Sequence, residues 1–308
     1  MSTGVPEDEA ILETARTDPG AVDLETIVAL FDAEQGQVRN VALRCVRFVA
    51  IDDPGRVAAI SEHVVERLDD EFAVAGSTAA AVLARIAPDH PDAVRPAVPA
   101  LVGKLDEHPP QTGYRAARAL SPLLEDDPAA FVPEADALFD VLVDPPEVWA
   151  PESGELQDLP RKKRESITNL LASRRDEIAT DEARARAIRE FAAHALVEVT
   201  ALDPDAIADR LEELPPVLAR EPPLARAATV DVIATVARAE PAAAAPTTDA
   251  VIDRLEDDVD VVRTHAVRAL GFAEATDAVD PLRALAEDAD GELRELAADT
   301  ADWLDEAS

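Results

Sequence analysis

The chain is poor in the residues that most familiar chemistries need. One cysteine, Cys45, stands among 308 residues, which excludes an intramolecular disulfide and a cysteine-based zinc cluster. Glycine is scarce at 10 residues, and no GxxxxGKS/T, GxGxxG or GxSxG run occurs, so phosphate-cradling loops and the hydrolase elbow lose their support. Cations are outnumbered, 29 Lys plus Arg against 64 Asp plus Glu, for a formal net charge of -35. Such a charge repels phosphate and disfavours a broad nucleic-acid or anionic-membrane surface, which leaves protein as the expected partner. No small-molecule substrate is implied. The longest stretch without a charged residue, Phe72 to Ala84, has 13 residues and is too short to span a bilayer. The N-terminal MSTGVPEDEA is acidic and lacks the apolar core of a signal peptide, so a cytoplasmic location is expected.

Aromatic residues make up only 3% of the chain, whereas hydrophobic residues of all kinds reach 47%. There is enough apolar material to bury, so this is not a disordered acidic tail, and the core has to come mainly from Ala, Val and Leu. Such residues fit an all-α protein better than a sandwich or barrel. Proline recurs with a period. After an acidic or polar turn it stands at Pro19, Pro54, Pro91, Pro128, Pro204, Pro241 and Pro281, with gaps of 35, 37, 37, 76, 37 and 40. The gap of 76 reads as two periods with one proline missing. Leu68, Leu105 and Leu142 keep the same spacing of 37, and RLDD at 67–70, KLDE at 104–107 and RLED at 254–257 repeat one ending.

Each period reads as two helices around the proline. Before Pro54, Val38, Val41, Ala42, Cys45, Val46 and Val49 share one helical face; after it, Val57, Ile60, Val64 and Leu68 form a second stripe. Proline has no backbone donor and a preset φ, so it ends one helix and suits the first turn of the next. An isolated helix pair cannot bury both stripes, and stacked pairs can. The expected architecture is one curved all-α solenoid spanning 1–308, with about seven or eight helical hairpins.

The C-terminal stretch carries a resemblance. Val262-Arg263-Thr264-His265-Ala266-Val267-Arg268-Ala269-Leu270-Gly271 reads VRxxAxxALG, followed by Ala278-Val279-Asp280-Pro281-Leu282 and Leu293-Arg294-Glu295-Leu296-Ala297. This resembles the HEAT repeat family, in its phycobilisome-lyase-like subtype, most clearly over 257–304; Ile188-Arg189 with Ala192, Ala195 and Leu196 is a further copy, and Val38-Arg39 with Ala42 a partial one. The scarcity of lysine (Lys104, Lys162 and Lys163 only) beside the acidic excess resembles proteins of extremely halophilic archaea. The resemblance implies an armadillo-type fold and a protein-binding scaffold, with Arg39, Arg189, Arg263 and Arg294 pairing to aspartates of neighbouring turns as a structural ladder. It also implies two rivals: a HEAT-type enzyme, lyase-like or DNA base-excising, and an adaptor to the motility or chemotaxis apparatus, to which some haloarchaeal proteins of this kind are linked.

The enzymatic rivals find few residues to carry them. Deoxyhypusine hydroxylases, a HEAT family, hold two irons through His-Glu pairs, and no His-Glu dipeptide occurs here. His63, His90, His108, His194 and His265 stand singly, with no HExxH, so no metal or other cofactor is expected. Cys45 lies on an apolar stripe and reads as an inert buried thiol. A base-excising HEAT protein needs a basic groove, whereas the second helices end in Asp69-Asp70, Asp106-Glu107, Glu212-Glu213 and Glu256-Asp257, so an acidic rim is expected. The chain reads as non-enzymatic.

The repeat breaks between 144 and 180. Residues 144–160 are Pro-rich and aperiodic and carry Trp149, one of only two tryptophans. A locally basic helical segment follows at 161–180: Arg161, Lys162, Lys163, Arg164, Arg174 and Arg175 against Glu165 give +5 over 161–175. The pattern extends as a long helix to about 200, with Ile167, Leu170 and Leu171 on its buried side. Two readings follow: the cations brace neighbouring acidic helices, or Trp149 and the basic segment dock an acidic partner protein. The other tryptophan, Trp303, reads as an apolar plug closing the last repeat.

Overall fold

In the computed structural model, the structure describes residues 7–144, 160–219 and 222–307, apart from the side chains of 7–9 and 171–173. Among them all regular structure is helical. The long helices are α1 (Glu7–Thr17), α2 (Gly36–Asp52), α3 (Ala73–Ile86), α4 (Gln111–Asp126), α5 (Ala135–Val143), α6 (Arg161–Ser173), α7 (Arg175–Leu202), α8 (Pro223–Ala239), α9 (Asp260–Phe272), α10 (Val279–Asp288) and α11 (Gly291–Glu306). The chain forms two compact units, one within Met1–Asp127 and Pro145–Ile188, the other within Pro128–Asp144 and Arg189–Ser308.

In each unit the first helices of successive hairpins pack side by side: α1 on α2, α2 on α3 and α3 on α4 in the first unit, α8 on α9 and α9 on α11 in the second. This stacking explains the burial of α2. Ala42, Cys45, Val46 and Val49 of the expected face are fully buried, and so are Leu43 and Ala50, because the helix lies between two neighbours. The fold is an all-α solenoid.

Before six of the seven periodic prolines the residue adopts one non-helical conformation, with φ between -139° and -146° at Asp18, Asp53, His90, Asp127, Asp203 and Glu240; Pro281 instead lies inside α10. Proline disfavours the helical region for its predecessor, which favours a break at these six places, although Arg95, Val98 and Leu214 stay helical before Pro96, Pro99 and Pro215. Asp53 and Asp203 also cap the next turn, their side chains accepting from Gly55 and Arg56 N–H and from Asp205 N–H. The second element of each hairpin is not one helix. It is split into short α and 3-10 pieces such as Pro54–Ala58 with Ser61–Val65, or Pro241–Thr247 with Thr248–Ile252 and Asp253–Glu256. Further prolines (Pro96, Pro99, Pro133, Pro215, Pro246) remove donors inside these stretches.

Two devices close the joint between hairpins. In the first, Arg39 forms a bidentate pair with Asp70, with both contacts at 2.6 Å, and Arg226 forms the same pair with Asp257 at 2.9 and 3.0 Å. Each partner lies 31 residues downstream. The aspartate side chains are 1% and 2% exposed, and each also accepts a backbone N–H, from Phe72 and Val259 respectively. In the second, glycine stands where the arginine would, at Gly76 and Gly113, 37 and 74 residues after Arg39. A Cβ at these positions would lie 2.6 Å from Leu68 O and 2.4 Å from Leu105 O, so the helix start rests directly on the preceding carbonyl. Arg263 and Arg294 behave differently from the expected ladder: they pair with Asp260 and Asp290 of their own first turns and donate to the Asp257 and Ala289 carbonyls.

Candidate docking surface on the inserted helix

The missing proline has a different origin from the one the arithmetic suggests. Within the second unit, α5 packs directly on the Pro204–Glu213 turn. Arg210 reaches Asp140 at 2.7 Å and lies 4.2 Å above the Phe139 ring, and Phe131 meets Phe191 edge-on at 6.5 Å. Segments 70 residues apart therefore occupy adjacent repeat positions. The described residues 160–183, ahead of the buried part of α7, are therefore additional to the repeats rather than a repeat that lost its proline.

From 160 to 183 no described side chain is buried; burial resumes at Ala185 and Ile188. The segment forms two helices that meet at Arg174, α6 and α7, rather than one long helix to about 200. Ile167 is only partly covered and Leu170 is 47% exposed, so the expected buried side does not form there. The periodic stripe is present, but among the described residues Ile167 and Leu170 are not buried against a neighbouring hairpin. Leu171 lies outside the described side chains, and Trp149 outside the described residues.

The six cations are all exposed. Arg161 pairs with Glu165 at 2.8 Å within α6, and Arg174, at the junction, pairs with Glu177 in the first turn of α7 at 2.9 Å. Among the described residues Lys162, Lys163, Arg164 and Arg175 have no carboxylate within pairing distance. No described cation of this segment reaches an acid of another helix, which is the contact an internal brace requires. A cleft of about 470 Å³ opens at the start of α7, lined by Pro109, Gln111, Arg174, Glu177, Asp181 and Arg184 among others. Its arginines are neutralised locally, Arg184 by Asp181 at 2.8 Å.

The acidic rim also needs revision. Asp70 and Asp257 belong to the internal ion pairs, Glu213 pairs with Arg210 at 2.9 Å, and Lys104 bridges Asp69 and Glu107 at 2.7 Å each. Hydrogen bonds from Arg39 hold the Asp70 carboxyl below its ordinary value. At Asp257 burial pushes upward, but Arg226 and the Val259 N–H outweigh it and the net shift is down. Asp106, Glu212 and Glu256 remain exposed. The acids that end these helices serve the joints first and the surface second.

Cys45 is fully buried, and that burial pushes its thiol up to about 11, with Arg44 opposing. Trp303 is 49% exposed; Leu304, fully buried, closes the last repeat instead. Among the described residues no group of three His, Cys, Asp or Glu side chains is placed to hold a metal ion, and no helix is long and apolar enough to cross a membrane.

No protein-family model and no curated protein matches the sequence. Solved structures do. The chain is similar to a structure from work on the phosphorylation switch in the interaction between cadherin and beta-catenin, with a TM-score of 0.64 and 15% identity over 96% of this chain and 56% of that one. It is similar to an engineered protein with a TM-score of 0.52 and 20% identity, over 82% of this chain and 97% of that one. An archaeal HEAT-like repeats protein from Thermococcus onnurineus NA1 aligns over 98% of both chains at 13% identity with a TM-score of 0.49. At such identities the first two likenesses show the fold, an α-solenoid of the armadillo/HEAT kind, and nothing finer.

Proposed function

We propose that the chain is a non-enzymatic HEAT-repeat scaffold of the phycobilisome-lyase-like subtype, adapted to a salt-rich cytoplasm, that binds an acidic protein partner through the inserted helix. One observation carries this reading: Lys162, Lys163, Arg164 and Arg175 are exposed and unpaired among the described residues of a chain with a net charge of -35. Local pairing of spare carboxylates is cheap in such a chain, so cations left without them are available to something else. Armadillo-type structures offer the analogy, since one similar structure concerns an interaction between two proteins. Trp149 belongs to the same proposed surface on sequence grounds. In molar salt the Debye length is about 3 Å, so binding depends on direct contact rather than long-range steering.

The test is capture of protein partners in molar KCl by the wild type and by a variant with Arg161→Ser, Lys162→Ser, Lys163→Ser and Arg164→Ser. The variant is expected to lose a partner that the wild type retains. Equal recovery of the same partners by both proteins removes the inserted helix from the account.

A further inference from the structure

We infer that the acidic partner of α6 is a second copy of this chain, received in the groove beside α10; the inference rests on the docking role given to α6 above. The groove lies within the second unit, between the Asp253–Glu256 turn and α10, and has a volume of about 450 Å³. Ile252, Leu255 and Leu285 line it, and Asp253, Glu256 and Asp288 stand exposed around them. None of these three acids has a side-chain partner among the described residues. Among the described residues lining the groove the one cation, Arg263, is already engaged by Asp260 and by the Asp257 carbonyl. The site presents an apolar floor with uncompensated negative charge at its edge.

The α6 helix presents the complement. Lys163, Arg164, Ile167 and Leu170 follow the spacing of three and four residues that places them on one face, within about 10 Å of axis. Ile167 and Leu170, one turn apart, match the apolar floor, and Lys163 and Arg164 ahead of them match the acids. Charge complementarity selects this occupant: the basic stretch carries +5 and the rest of the chain is strongly acidic, so another copy is an acidic partner always present at equal concentration. Donor helix and receiving groove are different patches. The contact is therefore head-to-tail, and copies add without limit unless a ring closes.

The experiment is sedimentation of the full chain over a concentration series in molar KCl. The wild type is expected to exceed dimer mass as concentration rises. A helix variant (Lys162→Glu, Lys163→Glu, Arg164→Glu) and a groove variant (Asp253→Lys, Glu256→Lys, Asp288→Lys) should each associate at least about tenfold more weakly. Mixed in equal amounts they retain one intact helix and one intact groove, and should form a dimer that grows no further. That dimer also shows that both variants fold. A wild type that stays monomeric throughout overturns the inference, as does a mixture that stays monomeric while the wild type associates. A monomeric wild type that still loses a foreign partner with the serine variant overturns self-docking alone and leaves the docking role of α6 standing.

Discussion

The Asp257→Ala substitution tests the ion pairs at the hairpin joints. Arg226 and Asp257 are 8% and 2% exposed, and the aspartate also accepts the Val259 N–H at 3.1 Å. Removing one member of so buried a pair costs about 3–5 kcal/mol, and the lost hydrogen bond from the Val259 N–H about 1 kcal/mol. Asp258, 87% exposed and 3.3 Å from Arg226, stays in reach and offsets part of that loss. The expected cost is about 2–4 kcal/mol. Arg283–Asp305 provides the control, since its contact is as short at 2.6 Å but its side chains are 47% and 58% exposed. Asp305→Ala should cost less than about 1 kcal/mol. Guanidinium unfolding followed by circular dichroism measures both. Replacing Arg226 and Asp257 together by Met and Leu should recover most of the loss, because the penalty comes from the stranded charge. Equal small costs for Asp257→Ala and Asp305→Ala would refute the view that the buried pairs hold the joints.

Gly76→Ala and Gly113→Ala should each destabilise by about 1–3 kcal/mol, reversing the gain of about 1 kcal/mol that alanine usually brings inside a helix, because the new Cβ meets a backbone carbonyl; thermal unfolding checks the sign. Asp70 and Asp257 have depressed carboxyl values, so the stability they contribute is complete above the ordinary value of 3.8 and is lost as pH falls through their folded values. Unfolding free energy measured against pH should fall on that acid limb, and Asp70→Asn with Asp257→Asn should flatten it. Cys45 should resist alkylation at neutral pH and react once denaturant exposes it, as intact-mass measurement would show; rapid labelling of the native chain contradicts its burial.

Much of the fold is legible because six of the seven periodic prolines follow a non-helical residue that breaks the helix locally, and the stripe Ala42, Cys45, Val46, Val49 needs only helical spacing to be recognised. What escapes the sequence is neighbourhood. Ile167 and Leu170 have the right spacing, yet no spacing reveals whether a second hairpin lies opposite. The inserted segment is close to one repeat in length, so a gap of 76 imitates two periods and conceals the direct contact of Arg210 with Asp140. Arg226 escaped because it follows Leu224-Ala225 rather than a Val-Arg step, although the RLED ending that supplies Asp257 matches the RLDD that supplies Asp70. Extra prolines mark the split second elements at Pro96, Pro99, Pro133, Pro215 and Pro246, but the break between Pro54–Ala58 and Ser61–Val65 has no proline to announce it. For the docking surface, the basic run is plain in the sequence, whereas the lack of paired carboxylates at Lys162, Lys163, Arg164 and Arg175 among the described residues needs coordinates, since an excess of acids suggests that every cation should be neutralised.

Whether the inserted cations serve an outside partner or brace the fold is decided most directly by the denaturation midpoint of the Arg161→Ser, Lys162→Ser, Lys163→Ser, Arg164→Ser variant against wild type in the same KCl. These side chains make no described contact with another helix, so the two unfolding free energies should agree within about 0.5 kcal/mol. A loss well above about 1 kcal/mol would mean that the segment holds the protein together, and would contradict the docking account.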